Sequence, residues 1–191
     1  MILVSLQPFA FKRIFVFAAA TVCLSMASCL ASSIFVSVPS SPYDRQMTRI
    51  RPVLLAKSGS GHDLSLALVN QWMGDLRDVP YQYHSEWKTP AEVQSNQSAD
   101  CKGKAVALYQ RMQRNGAKNI RLVIGKRAPT SRMTHTWLIW ETNAGSFVLD
   151  PTFNWLACRS EQLGPSSYVP LYAYAGDKKF RAVSSELYAQ N

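Results

Sequence analysis

The stretch SADCKGKAVALYQRMQ, residues 98 to 113, sets a cysteine between an aspartate and a lysine where a helix ought to begin. Asp100 is the helix cap, because its carboxylate can accept a hydrogen bond from a first-turn N–H. Ala105, Leu108, Tyr109 and Met112 recur at helical spacing as one apolar stripe, and Gly116 follows where a C-terminal glycine belongs. Cys101 therefore lies in the first turn. There the unpaired N–H groups and the positive end of the helix dipole favour a thiolate, and Lys102 and Lys104 push the same way. The placement alone fits a reactive thiol or one more small apolar core residue.

A thiolate nucleophile needs a partner that takes and returns a proton, and the histidines are His62, His84 and His135. His135 opens HTWLIWE, whose β-branched and aromatic content reads as a strand; TNAG turns, and SFVLD reads as the returning strand. In an antiparallel hairpin centred near Asn143 and Ala144, His135 and Asp150 come within about one residue of direct opposition. A carboxylate there can orient an imidazole. A strand histidine is commonly a core residue, and an Asp before Pro151 commonly a turn former. Taken with Cys101, however, the two complete the set of nucleophile, base and orienter. His62, beside Gly61, and His84, in a tyrosine-rich loop, have no acid placed by a hairpin.

Outward from this centre, the chain of 191 residues is 47% hydrophobic, enough for one globular domain with accessory sequence. Lys12 and Arg13 precede an uncharged apolar run, residues 14 to 31, that ends in small residues. That order is the layout of a secretory signal peptide, so residues 1 to 31 are expected to direct export and be cleaved. A membrane anchor is the alternative, since eighteen residues come close to spanning a bilayer. MASC, ending at Cys29, resembles a bacterial lipoprotein box and makes Cys29 a candidate for lipid. Residues 32 to 61, with PSSP and SGSG, read as a tether, and 62 to 191 as the domain. Within it, Leu64, Leu68, Trp72 and Leu76 recur every four residues as an amphipathic helix. Thr89, Pro90 and Glu92 form a capping-box pattern for a short helix. Beyond the leader, Cys101 and Cys158 remain, either as one disulfide or as two thiols.

The net charge is +9, and residues 102 to 132 hold nine Lys or Arg and no acid. Such a region suits an anionic envelope surface or an acidic protein in an exported chain; no nucleic acid is expected as a partner.

The blocks ADCKGKA, HTWLIWE and FVLDPTFNW resemble the Cys, His-x-Trp and Asp-Pro-Thr blocks of the transglutaminase-like superfamily. EWKTPAEV resembles the Trp-x-Thr-Pro-x-Glu lead-in of its bacterial transglutaminase-like cysteine proteinases. The resemblance spans roughly residues 64 to 155. It implies an α+β, papain-like core, with the Cys-bearing helix packed on an antiparallel sheet that carries His and Asp. It makes Cys101 the nucleophile, His135 the base and Asp150 the orienter. A side-chain oxyanion donor is expected just upstream, where Gln97 is available, and Trp137 is expected to pack over the pair. Relatives that release adhesins in the periplasm follow the cysteine with an acid and hold calcium there. Lys102 departs from that pattern, so no metal and no cofactor is expected.

The implied chemistry is attack on a protein or peptide amide in the periplasm or at the membrane. Hydrolysis gives a cysteine peptidase or amidohydrolase, and a second amine in place of water gives a cross-linking acyl transferase on the same triad. A non-catalytic envelope binding module is the third reading.

Overall fold

In the computed structural model, which describes residues 33–60, 64–164 and 166–184, the strands form one sheet that is antiparallel throughout. They are β1 (Ser33–Ser37), β2 (Ile120–Lys126), β3 (His135–Thr142), β4 (Gly145–Leu149), β5 (Cys158–Arg159), β6 (Val169–Ala175) and β7 (Lys178–Ser184), in the order β1-β7-β6-β2-β3-β4-β5. The helices are α1 (Asp44–Met47), α2 (Arg51–Leu54), α3 (Leu66–Asp78), α4 (Pro90–Asn96) and α5 (Cys101–Arg114). The expected α+β class, with a Cys-bearing helix on an antiparallel sheet, is the observed one.

Strand alternation divides the apolar side chains between two faces. Leu122, Ile124, Leu138, Trp140, Phe147 and Leu149 join the main core with the helices, while Val123, Trp137, Val148, Tyr168 and Ala173 form a smaller cluster on the other face. The hairpin has the expected register, with Leu138 opposite Leu149 and Ile139 opposite Val148. At Gly125, which pairs with His135, the register of β2 against β6 shifts. A Cβ there would lie 2.3 Å from the Val169 carbonyl oxygen and 2.5 Å from the Trp137 ring, so the strand closes on the indole only with glycine.

The central element is α5. The sequence shows one apolar stripe, and its members Ala105, Leu108, Tyr109 and Met112 are all buried, but so are Val106, Ala107, Lys104 and Gln113. A helix buried on most of its circumference lies inside the protein rather than on its surface. In α3 the buried stripe is Val69, Met73 and Leu76, which shares only Leu76 with the four-residue series from Leu64. A strict step of four overruns the 3.6-residue turn, so the series meets the buried face only at Leu76 and leaves Leu68 and Trp72 half-buried beside it.

The tether reading of residues 32 to 61 does not match the described residues 33–60. β1 pairs with β7 over five residue pairs, and Met47, Ile50, Val53 and Leu54 are buried in the main core. Gln113 of α5 donates from Nε2 to the carbonyl oxygens of Leu54 and Ala56, and the Gly59 N–H donates to the Gln113 carbonyl. The prolines and serines that suggested a linker are turn residues between short, well-anchored elements. The apolar run 14 to 31, Cys23, Cys29 and His62 lie outside the described residues. Among the described residues no helix is long and apolar enough to cross a membrane.

Part of the basic stretch 102 to 132 is compensated or buried. Lys102 pairs with Asp100, Arg111 with Asp75 and Arg121 with Glu141, and Lys104 is buried.

Candidate active site

The short helix that precedes the candidate nucleophile is fixed by its own sequence. The Thr89 hydroxyl oxygen accepts from the Glu92 N–H at 3.4 Å, and the Glu92 carboxylate accepts from the Thr89 N–H at 2.8 Å, a complete capping box. Hydrogen bonds from the Thr89 backbone and side chain, and from Arg49, hold the Glu92 carboxyl down at about 2. Gln97 then ends the helix in the left-handed conformation at φ 50°. Two backbone hydrogen bonds, Gln82 N–H to the Ala99 carbonyl and Ala99 N–H to the Pro80 carbonyl, tie the entry of α5 to residues 80–82.

Asp100 caps α5 as the sequence indicates: its Oδ1 accepts from the Gly103 N–H at 3.1 Å. Its Oδ2 accepts from the His84 N–H at 3.1 Å and forms an ion pair with Lys102. The Lys102 ammonium also donates to the His84 carbonyl at 2.8 Å and lies 4.9 Å from the Tyr83 ring centre. One cation thus joins the buried cap to the loop of residues 83 and 84. Lys104, one turn on, donates from Nζ to the Arg77 carbonyl in the last turn of α3 at 3.0 Å, and burial lowers its pKa.

Cys101 is buried except for 9% of its surface, and that part lines an open cleft of about 540 Å³ together with His135. His135 Nε2 and Asp150 Oδ2 are 2.8 Å apart, with the carboxylate fully buried. Asp150 Oδ1 accepts from the Thr152 N–H at 3.0 Å and the Phe153 N–H at 3.3 Å, so the turn after Pro151 fixes the acid as well as reversing the chain. Burial lowers the basicity of His135, but its hydrogen bonds to Asp150 and Cys101 and their charges outweigh it and raise the pKa to about 9. Burial works against the Asp150 carboxylate, and the His135 imidazolium, the Tyr168 hydroxyl and the Thr152 N–H overcome it and lower its pKa. The arrangement suits an imidazolium held by the buried carboxylate beside Cys101.

Sequence reasoning missed the support behind Asp150. The Tyr168 hydroxyl donates to Asp150 Oδ2 at 2.8 Å, and Asn154 Nδ2 donates to the Tyr168 hydroxyl at 3.0 Å. Asn154 sits inside the FVLDPTFNW block, but Tyr168 lies in GPSSYVP, which signals only a turn. Trp137 is fully buried beneath the site, stacked on His135 with ring centres 6.0 Å apart and edge-on to Tyr168 at 5.3 Å. Gln97 is not brought to the cleft: it is exposed and lines a separate hollow with Asp75, Val93 and Arg111. Tyr81 stands in the cleft with Cys101 instead. Cys158 is a free thiol on β5, so the structure resolves the disulfide alternative in favour of two thiols. His84 contributes its backbone to Asp100 and Lys102, not its ring to the cleft.

No family model matches the chain, and no curated protein matches it. Solved structures do. LapG of Legionella pneumophila superposes with a TM-score of 0.55 at 14% identity, covering 78% of this chain and 85% of that one. Its calcium-bound form gives a TM-score of 0.53 at 16% identity over 76% and 85% of the two chains. An EGTA-treated form gives 0.54 at 14% identity.

The calcium in that neighbour's description poses a question of fit. Calcium takes six to eight oxygen ligands, several of them carboxylates. Among the described residues no cluster of three His, Cys, Asp or Glu side chains could hold a metal. Beside Asp100, the one buried carboxylate at the helix start, the Lys102 ammonium already takes up the carboxylate oxygen and the His84 carbonyl. The donor set around Asp100 does not fit a metal. What the likeness to LapG shows is the fold: this chain is an α+β protein that shares the LapG architecture.

Proposed function

We propose that this chain is a cysteine peptidase-like hydrolase, of the transglutaminase-like kind, that acts on a protein or peptide amide. The observation that carries the reading is His135 held by Asp150 at 2.8 Å while sharing the open cleft with Cys101 at the start of α5. The likeness to LapG in fold, together with the Cys, His-x-Trp and Asp-Pro-Thr blocks, supports it.

In this mechanism Cys101 Sγ attacks the amide carbonyl carbon, and the His135 imidazolium gives its proton to the leaving amine as the C–N bond breaks. The negative oxygen faces the first turn of α5, whose N–H groups lack partners within the helix, and the Tyr81 hydroxyl in the same cleft. Neutral His135 then takes a proton from water, whose oxygen attacks the thioester and frees Cys101. Asp150 keeps the imidazole in one orientation throughout, and Tyr168 and Asn154 hold Asp150. The signal-peptide layout of residues 1 to 31 supports an exported enzyme that acts in the periplasm or on a membrane.

The experiment is a digest of a proteome-derived peptide library with new termini read by mass spectrometry. Cys101→Ala and His135→Ala are expected to abolish new termini while keeping the native circular dichroism spectrum. A labelled amine that enters the products instead of water would assign the acyl transferase. Cleavage that persists in Cys101→Ala would overturn the reading.

A further inference from the structure

We infer that the cleft selects amide substrates with a carboxylate side chain within two residues of the scissile bond, and that Arg127 reads it. This inference rests on the hydrolase reading above.

The cleft contains no acid. Its lining, which includes Tyr81, Tyr83, Arg127, Met133 and Phe153 beside Cys101 and His135, has no Asp or Glu, and besides the His135 imidazolium, which Asp150 neutralises, its cations are Lys102 and Arg127. They are not equivalent. Lys102 is neutralised by buried Asp100, whereas Arg127 has no carboxylate partner among the described residues. The uncompensated charge of the cleft is therefore a guanidinium.

Its position is built. The Arg127 guanidinium lies 4.0 Å from the Phe153 ring centre and 5.7 Å from that of Tyr168, and the Arg127 carbonyl accepts from the Tyr168 N–H at 3.0 Å. Phe153 in turn stands edge-on to His135 with ring centres 5.2 Å apart. Stacking on a ring occupies the face of a guanidinium and leaves its N–H edge available, the geometry that takes a carboxylate by two parallel hydrogen bonds. The charge sits one ring away from the imidazole, and an extended peptide advances about 3.3 Å per residue, so the side chain it meets belongs to a residue next to the cut or one beyond.

The rim adds the rest of the preference. Tyr81, Tyr83, Met133 and Phe153 are exposed by 56%, 61%, 67% and 48%, although each is large and apolar. Exposed apolar surface gathered around one cleft marks a recognition surface. The substrate class is an extended peptide in which an acidic residue has apolar neighbours.

The peptide library tests this directly, with the wild type, Arg127→Ala and Arg127→Glu. In the wild type, Asp and Glu are expected to be enriched within two residues of the cut, with kcat/KM falling about ten-fold when that acid is replaced by its amide. Arg127→Ala should lose the discrimination, Arg127→Glu should turn it towards Lys and Arg, and salt should weaken it in the wild type alone. Cys101-dependent cleavage with no acidic enrichment, or enrichment that survives Arg127→Ala, would overturn the inference and leave the hydrolase reading standing. Absence of any Cys101-dependent cleavage would overturn both.

Discussion

At the scale of single residues, His135 carries the raised pKa and Lys102 the charge that neutralises buried Asp100. The pKa of His135 is raised to about 9, above the ordinary histidine value of about 6.5. A raised value means that the imidazolium and its bonds stabilise the fold fully below about pH 6.5 and are lost as pH rises through about 9. Activity should accordingly fall on the alkaline side near pH 9. Asp150→Asn should move that limb towards 6.5 and lower the plateau without abolishing it, in a pH profile of kcat/KM. Lys102 leads to a different expectation. EGTA should leave the melting temperature unchanged, while Lys102→Ala, which strips a buried carboxylate of its cation, should cost about 2 kcal/mol in urea unfolding. Lys102→Glu should create a calcium-dependent rise in melting temperature absent from the parent; such a rise in the unmodified protein would contradict this account.

Elements position these residues, and a tight constraint lies where β2, β3 and β6 meet. Gly125 pairs with His135, and the closest atoms to an added Cβ are a backbone oxygen and the buried Trp137 ring. Gly125→Ala should therefore destabilise the protein by about 3 kcal/mol in denaturant melts and lower activity more than its distance from Cys101 suggests. Elements with local signals were legible in the sequence. The capping box at Thr89, the cap at Asp100 and the TNAG turn each satisfy backbone groups within a few residues, and the hairpin register that unites His135 with Asp150 follows from its turn alone. Elements whose partners are distant in the chain were not. β1 finds β7 about 150 residues away, Tyr168 reaches Asp150 from a turn-rich loop, and neither has a period or motif of its own. Gln97 illustrates the limit from the other side: closeness in sequence to Cys101 did not bring it near, because the left-handed end of α4 turns the chain between them.

For the whole molecule, the core is closed by residues that read as a tether. Burial of Met47, Ile50, Val53 and Leu54 contributes on the order of 6 kcal/mol, comparable with the entire net stability of a typical domain. A chain beginning at residue 61 should therefore lose cooperative unfolding in calorimetry, whereas a tether would leave the transition where it was. The finished molecule brings an α5 cysteine and a hairpin histidine from over thirty residues apart into one cleft, and the central claim is that they act as one unit. Iodoacetamide labelling of Cys101 and Cys158, followed residue by residue with mass spectrometry at pH 6.5, tests it most directly. Accessibility alone ranks the thiols the other way, since Cys101 is buried and Cys158 half-exposed. The account predicts that Cys101 is alkylated at least about ten-fold faster than Cys158 and that His135→Ala removes the difference, because the imidazolium no longer holds the thiolate. Equal rates in the folded protein, or a Cys101 rate indifferent to His135→Ala, would contradict it.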